Sequence, residues 1–265
     1  MSMFSVRAVL LALALVAGPG CKKSAPSEGG SAIKVAAAAD LAFAFKEVGA
    51  AFKAKTGKDV TFTFGSTGQL AKQISEGAPY DVFAAANVSY VDEVVTAKAC
   101  DPATKAMYAR GRIAVWSPTS GHAAPATTLA DLKDARFVKI AIANPEHAPY
   151  GKAAQQALEA AGLWPDVQPR IVFGENVQQT LNFAQTGNAE AAIVALSLAT
   201  VTKDGSYVLV DEALHAPIDQ ALVVCKRGVD PATAKEFVAF VGSPEGHAIM
   251  KRYGFLLPGE AVVKN

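Results

Sequence analysis

Two hydroxyls stand side by side between glycines in the run Phe64-Gly65-Ser66-Thr67-Gly68-Gln69-Leu70. An apolar β-type stretch, Val60 to Phe64, ends there, and a helix-type stretch, Leu70 to Gly77, begins. Gly65 permits an unusual backbone angle, and Ser66 or Thr67 can cap the helix. The first turn of a helix offers free N–H groups and the positive end of the helix dipole, which suits an anion. A single junction of this kind is more often only a turn, so the weight falls on whether it recurs. It does, at Asp40 after the run Ile33 to Ala39, at Tyr150, and at Val177 after Gly174-Glu175-Asn176.

Other chemistries find less support. No G-x-S-x-G elbow is present, because Gly65-Ser66-Thr67-Gly68 has the wrong spacing, and neither Gly-rich nucleotide motif occurs. His122, His147, His215 and His247 are scattered with no i+4 partner, so no metal-cation site is expected. Ser66, His147 and Asp40 have the residue types of a hydrolytic triad, but type alone carries no geometry. A secreted hydrolase is therefore kept only as a remote alternative, and no catalytic residue or cofactor is assigned.

The elements that must position these junctions follow a pattern. Ile33 to Ala39 reads as a buried strand, with Asp40 as the N-cap of a helix through Leu41, Phe45, Val48 and Phe52. Asp81 to Ala85 reads as a third strand, and Asn87 as the cap of a helix to about Lys98. Three strand–helix units in succession imply parallel pairing with right-handed crossovers. Arg112 to Trp116 is another strand, followed by a loop rich in Pro, Gly and Ser. The middle repeats the pattern: strand Val138 to Ala143, loop Asn144 to Gly151, helix Lys152 to Ala161, strand Arg170 to Phe173, helix Val177 to Gln185 and strand Ala191 to Ala195. Tyr207 to Val210 and Gln220 to Cys225 are strands, the second able to return to the first lobe. Asp230-Pro231 and Ser243-Pro244 open the last two helices. In such α/β sheets ligands sit at the carboxyl ends of strands, close to helix N-termini.

Composition agrees. The 265 residues, 51% apolar and 18% charged, suit one large or two smaller globular domains. A net charge of +1 gives no basic field for nucleic acid. Residues 1–20 read as a secretory signal peptide, with a basic start and an apolar stretch, Ala8 to Ala17, too short to span a bilayer. Gly20-Cys21 resembles a lipoprotein processing site, although Gly18 replaces the usual Leu and Pro19 is atypical. Lipidation of Cys21 is expected, with ordinary cleavage nearby as the alternative. Residues 21–31 then form the anchor and a flexible linker. Cys100 and Cys225 could pair in an exported protein, but two cysteines carry no geometric information, and the pairing stays open.

Laid in order, the junctions resemble the molybdate-binding, ModA-type family of bacterial ABC transporters. The resemblance is carried by Ala36-Ala37-Ala38-Ala39-Asp40-Leu41, Gly65-Ser66-Thr67-Gly68 with Leu70 to Ile74, Gly77-Ala78-Pro79-Tyr80-Asp81-Val82-Phe83, Asn144 to Gly151, Glu175-Asn176-Val177 and Arg252-Tyr253-Gly254-Phe255. It implies a two-lobe periplasmic-binding fold of type II. Each lobe would be a mixed sheet flanked by helices, with lobe 1 made of residues 32–113 plus 221–265, lobe 2 of 114–220, and a closing cleft between them. It further implies an extracytoplasmic solute-binding protein, periplasmic or at the cell surface. Such a protein is a monomer, not an enzyme, and delivers molybdate or tungstate to an ABC permease.

By position, the resemblance implies that Thr67, with Ser66 beside it, donates through hydroxyl and backbone, and that Val177 and Tyr150 donate from the other lobe. The N–H of Ala39 or Asp40 completes the set. Two positions depart from the family. Asp40 stands where many members have Ser or Asn, and a carboxylate facing a dianion is repulsive in a desolvated cleft. It is expected to turn toward helix N–H groups or the protein body. Ala195 stands where some members place a Tyr, whose hydroxyl Tyr150 could replace. Were Asp40 to face inward, it could accept the proton of a hydrogen phosphate, so sulfate or phosphate is the alternative ligand.

Overall fold

The first strand already shows how the chain uses its small residues. β1 (Ile33–Ala38) is flanked by strands on both sides and covered on both faces, so its side chains from Val35 onward are buried without alternation. In the computed structural model, which describes residues 32–120 and 123–260, β1 is followed by α1 (Ala44–Thr56), β2 (Val60–Gly65), α2 (Thr67–Ser75), β3 (Val82–Ala85), α3 (Val88–Thr96) and β4 (Ala106–Gly111). Next come β5 (Ile113–Pro118), β6 (Ile140–Ala143), α4 (Pro149–Ala160), α5 (Trp164–Val167), β7 (Ile171–Gly174), α6 (Val177–Gln185), β8 (Ala191–Ala195), α7 (Leu196–Ala199) and β9 (Gly205–Leu209). The chain closes with β10 (Ile218–Val224), α8 (Pro231–Val241) and α9 (Pro244–Arg252). The expected signal peptide, Cys21 and the linker lie outside the described residues.

Two five-stranded mixed sheets result. The first runs β2-β1-β3-β10-β4, with β1 parallel to β2 and β3, and β10 antiparallel to β3 and β4. The second runs β7-β6-β8-β5-β9, with β6 parallel to β7 and β8, and β5 antiparallel to β8 and β9. The chain leaves the first sheet at Gly111, enters the second at Ile113, and returns between Leu209 and Ile218. The parallel strand–helix units were legible in sequence; the mixed character comes from β10 and β5.

Each sheet has its own core. Over the first, α1 buries Phe45, Val48 and Phe52, and Phe237 of α8 meets Phe45 and Phe52 edge-on at 6.0 and 5.4 Å between ring centroids. Such pairs add about 1 kcal/mol each to the area they bury. Gly57 ends α1 in the left-handed conformation (φ 74°), its N–H reaching the Lys53 carbonyl. The second sheet packs Trp116, Ile140 and Val194 beneath α4 and α6. Cys100 and Cys225 face each other in an isolated antiparallel bridge, Cα atoms 3.9 Å apart, and are disulfide-bonded.

Several local expectations are corrected. Asp40 is not the N-cap of α1. A 3-10 turn, Ala39–Leu41, follows β1, and α1 begins only at Ala44 with Phe43 at the cap position. The Asp40 side chain is instead drawn inward, by partners described below. Pro149 takes the N1 position of α4, so this helix starts inside the segment read as a loop.

Candidate functional site

The carboxyl ends of β1 and β2, together with the first turns of α2, α4 and α6, border a small open cavity. It is lined by Ala38, Ala39, Asp40, Gly65, Ser66, Thr67, Ala86, Ala148, Pro149, Tyr150, Asn176 and Val177. All six predicted ligand-binding positions, Ala39, Asp40, Ser66, Thr67, Tyr150 and Val177, are therefore brought together. Among the described residues, no lysine or arginine lines the space.

On the side of the second sheet the donors are backbone amides. Asn176 caps α6, its Oδ1 accepting the N–H groups of Gln178 (3.0 Å) and Gln179 (3.1 Å). That satisfies the second and third amides of the helix and leaves the first, on Val177, without an intrahelical partner at the cavity wall. In α4, Pro149 has no N–H, so the first amide that helix offers is that of Tyr150.

On the side of the first sheet the donors are hydroxyls and amides. Ser66 is at the cap position of α2 yet makes no side-chain cap. Its Oγ donates instead to the His147 carbonyl at 2.6 Å and lies 2.8 Å from His147 Nδ1, across the cleft. The Gly68 N–H donates to the same carbonyl at 2.9 Å. A Cβ on Gly68 would sit 2.9 Å from that oxygen, so this approach requires glycine. Thr67 is buried, and its Oγ1 accepts the Ala86 N–H at 3.2 Å. Its single proton remains available to a ligand, as does the amide at the N1 position of α2. The two hydroxyls thus divide: Ser66 ties the lobes together, and Thr67 is the hydroxyl free to donate.

Asp40 sits at the centre of a buried polar network. Its Oδ2 accepts from Tyr150 Oη at 2.9 Å and from Gln220 Nε2 at 2.8 Å, while Tyr108 Oη donates to Gln220 Oε1 at 2.7 Å. Ser197 Oγ donates to the Asp40 carbonyl at 2.8 Å. Gly111 makes room for this cluster, since a Cβ there would overlap the Tyr150 hydroxyl. Asp40 Oδ1 is buried and has no partner. Burial pushes the Asp40 carboxyl up to about 6, against the opposing hydrogen bonds from Gln220 and Tyr150. Tyr150 and Tyr108 are both held well above the ordinary tyrosine value, by burial first and then by the neighbouring Asp40 charge.

Tyr150 therefore cannot also give its hydroxyl proton to a ligand in place of the family's missing Tyr; that expectation is corrected. The expectation that Asp40 turns to the protein body holds for Oδ2 alone. Gln220, Tyr108 and Asn176 enter the site without having been singled out. A lone glutamine inside the apolar strand Ile218–Val224 was the one sequence mark of the network, since a buried amide needs partners.

The arrangement can hold a small anion by neutral donors from both sides. It does not form a hydrolytic triad. Asp40 bonds Tyr150 and Gln220, not His147, and a Ser66 proton given to the His147 carbonyl makes the ring nitrogen the donor toward Oγ, the reverse of a general base. Among the described residues no group of His, Cys, Asp and Glu gathers as for a metal ion, and no helix is long and apolar enough to cross a membrane.

The sequence profile of the family described as bacterial extracellular solute-binding protein matches residues 33–256. The molybdate-binding protein ModA of Rhodobacter capsulatus is 36% identical over 254 residues, covering 95% of this chain and 97% of that protein. A putative ABC transporter substrate-binding lipoprotein of Bacillus subtilis is 32% identical, covering 94% and 95%. Among solved structures, the periplasmic molybdate-binding protein of Azotobacter vinelandii superposes with a TM-score of 0.79 at 30% identity, covering 85% of this chain and 99% of that one.

Proposed function

The chain belongs to the bacterial extracellular solute-binding proteins, and on that premise we propose that it captures molybdate or tungstate between its two lobes for delivery to an ABC permease. One observation carries the reading: hydroxyl and amide donors from both sheets converge on a small cavity with no cationic side chain. A fully ionised tetrahedral dianion needs donors on every side and no acceptor. A fixed ring of N–H and O–H groups selects it by distance, because donors set for long metal–oxygen bonds fit the smaller sulfate poorly. Thr67 supplies a hydroxyl and an amide, Val177 and Tyr150 supply amides, and the N–H of Ala39 or Asp40, both of which line the same space, completes the set. Ser66 contributes by holding the lobes closed.

The protein works outside the cytoplasm as a monomer, tethered by a lipid on Cys21. The family description and the lipoprotein named in Bacillus subtilis support that placement. The reaction is capture and release; closure around the ligand completes the donor set.

A second oxyanion reading rests on the unpartnered Asp40 Oδ1, which could accept the proton of a hydrogen phosphate. Calorimetric titration with molybdate, tungstate, sulfate and phosphate separates the two. Binding of molybdate and tungstate with little or no heat from sulfate is the expected result. Heat from phosphate or sulfate and none from molybdate overturns the main reading.

A further inference from the structure

Asp40 is one of the residues that line a cavity otherwise built for a dianion, and its two carboxylate oxygens are in unlike situations. Oδ2 already receives two donors, Tyr150 Oη and Gln220 Nε2, whose directions are fixed by their own partners. A proton cannot be added there without opposing both. Oδ1 is buried with no hydrogen-bond partner, which is costly for an ionised oxygen. The pattern of partners thus designates Oδ1 as the oxygen that either carries a proton or meets one.

We propose that every oxyanion captured brings about one proton into the cleft, held between Asp40 Oδ1 and a ligand oxygen. With molybdate the proton resides on Asp40, which becomes a neutral donor. With a hydrogen oxyanion the same proton resides on the ligand, and Asp40 accepts it. Either way a proton replaces what would be a carboxylate–dianion clash. This inference rests on the oxyanion-binding reading above and adds a regulator to it: capture weakens as the surroundings become alkaline.

The neighbourhood contains few other candidates for such a pH response. The 3-10 turn carrying Asp40 packs against β2, α6 and α7, none of which carries an ionisable side chain. From α4 and β4 the groups facing it are Tyr150 and Tyr108, which stay neutral because burial raises both. Arg110 of β4 and Asp219 of β10 are paired with each other. At the cleft, His147 touches Ser66 rather than Asp40, and Tyr90, raised chiefly by burial, lies beside Gly68.

The test is calorimetry with molybdate between pH 6.5 and 9, in buffers of different protonation enthalpy, on the unaltered protein, Asp40→Asn and His147→Gln. The unaltered protein should take up close to one proton per molybdate above about pH 7, less toward pH 6.5 where Asp40 is already partly protonated, and lose affinity by about tenfold per pH unit where uptake is complete. Asp40→Asn should bind with no proton uptake and a flat pH profile, and His147→Gln should retain the slope. Molybdate binding by the unaltered protein without proton uptake overturns the proposal while leaving the oxyanion reading intact. So does a slope that persists in Asp40→Asn or vanishes in His147→Gln. Absence of molybdate binding at every pH instead removes the reading on which it rests. The proton count on the unaltered protein decides the matter even if a variant fails to fold.

Discussion

The two sides of the cleft solve the same problem with different materials. On the second-lobe side, α6 is capped by its own Asn176 and α4 begins with its own Pro149, so Val177 and Tyr150 present their amides from locally finished helices. On the first-lobe side, α2 has no side-chain cap of its own, and both Ser66 and Asp40 bond to residues of the opposite lobe. One side is therefore a prefabricated donor surface, and the other reaches its final form only when the lobes meet. Selectivity by distance suits the first kind, whereas a response to ligand and to pH suits the second.

That contrast is sharpest at Asp40. Its native value of about 6 stands above the ordinary 3.8, so the closed fold favours the neutral acid. The resulting penalty is absent below pH 4, grows between pH 4 and 6, and is complete above pH 6; it amounts to about 3 kcal/mol. Asp40→Asn should therefore raise ligand-free stability at pH 8 by up to about 3 kcal/mol and leave it unchanged near pH 4, as read from urea midpoints. An equal gain at both pH values would mean that packing, not ionisation, was altered. Next in size, Thr67→Ala should weaken molybdate binding roughly 10- to 100-fold, the range expected for one hydrogen bond to a charged group, with the fold retained. Unchanged affinity would take Thr67 out of the donor set.

On the prefabricated side, Asn176→Ala should lower stability by about 1 kcal/mol through the lost cap, visible without any ligand. Ser66→Ala differs in kind: Ser66 caps nothing, but its buried bond to the His147 carbonyl spans the lobes, so the empty protein should lose about 1 kcal/mol and affinity should fall roughly two- to tenfold as closure loses one bond. If Asn176→Ala lowers affinity as much as Ser66→Ala does, the two helix ends are equivalent after all.

Much of this could be read from residue order. Val177–Gln185 and Ala191–Ala195 were predictable to the residue because Val177, Leu181 and Ala184 recur on one helix face after the Gly174-Glu175-Asn176 turn and the apolar run of β8 is short and uniform. The pieces that escaped lacked a period or a local cause. β4 alternates weakly, with Lys105 and Arg110 around Tyr108, and α5 and α7 are each a single turn. The convergence of Thr67, Tyr150 and Val177 followed from a fold in which strand ends face one cleft. The direction of Asp40 did not follow, because its partners Tyr150 and Gln220 lie 110 and 180 residues away and nothing near position 40 announces them. Likewise Ser66 reads as a cap until the His147 carbonyl is seen to compete for its proton.

The bond between Cys100 and Cys225 has a topological result. It closes a span of 125 residues that begins before the chain leaves the first sheet and ends after it returns. All of β5 to β9 is thus a loop hung from a covalent ring whose clasp lies in the other lobe. Closing a span of this length removes on the order of 5 kcal/mol of unfolded-chain entropy. A single protease cut anywhere in the hung lobe leaves one molecule, with β3 and β10 still joined edge to edge. Outside the cell, where a binding protein meets proteases unaided, such a molecule can be nicked and still close.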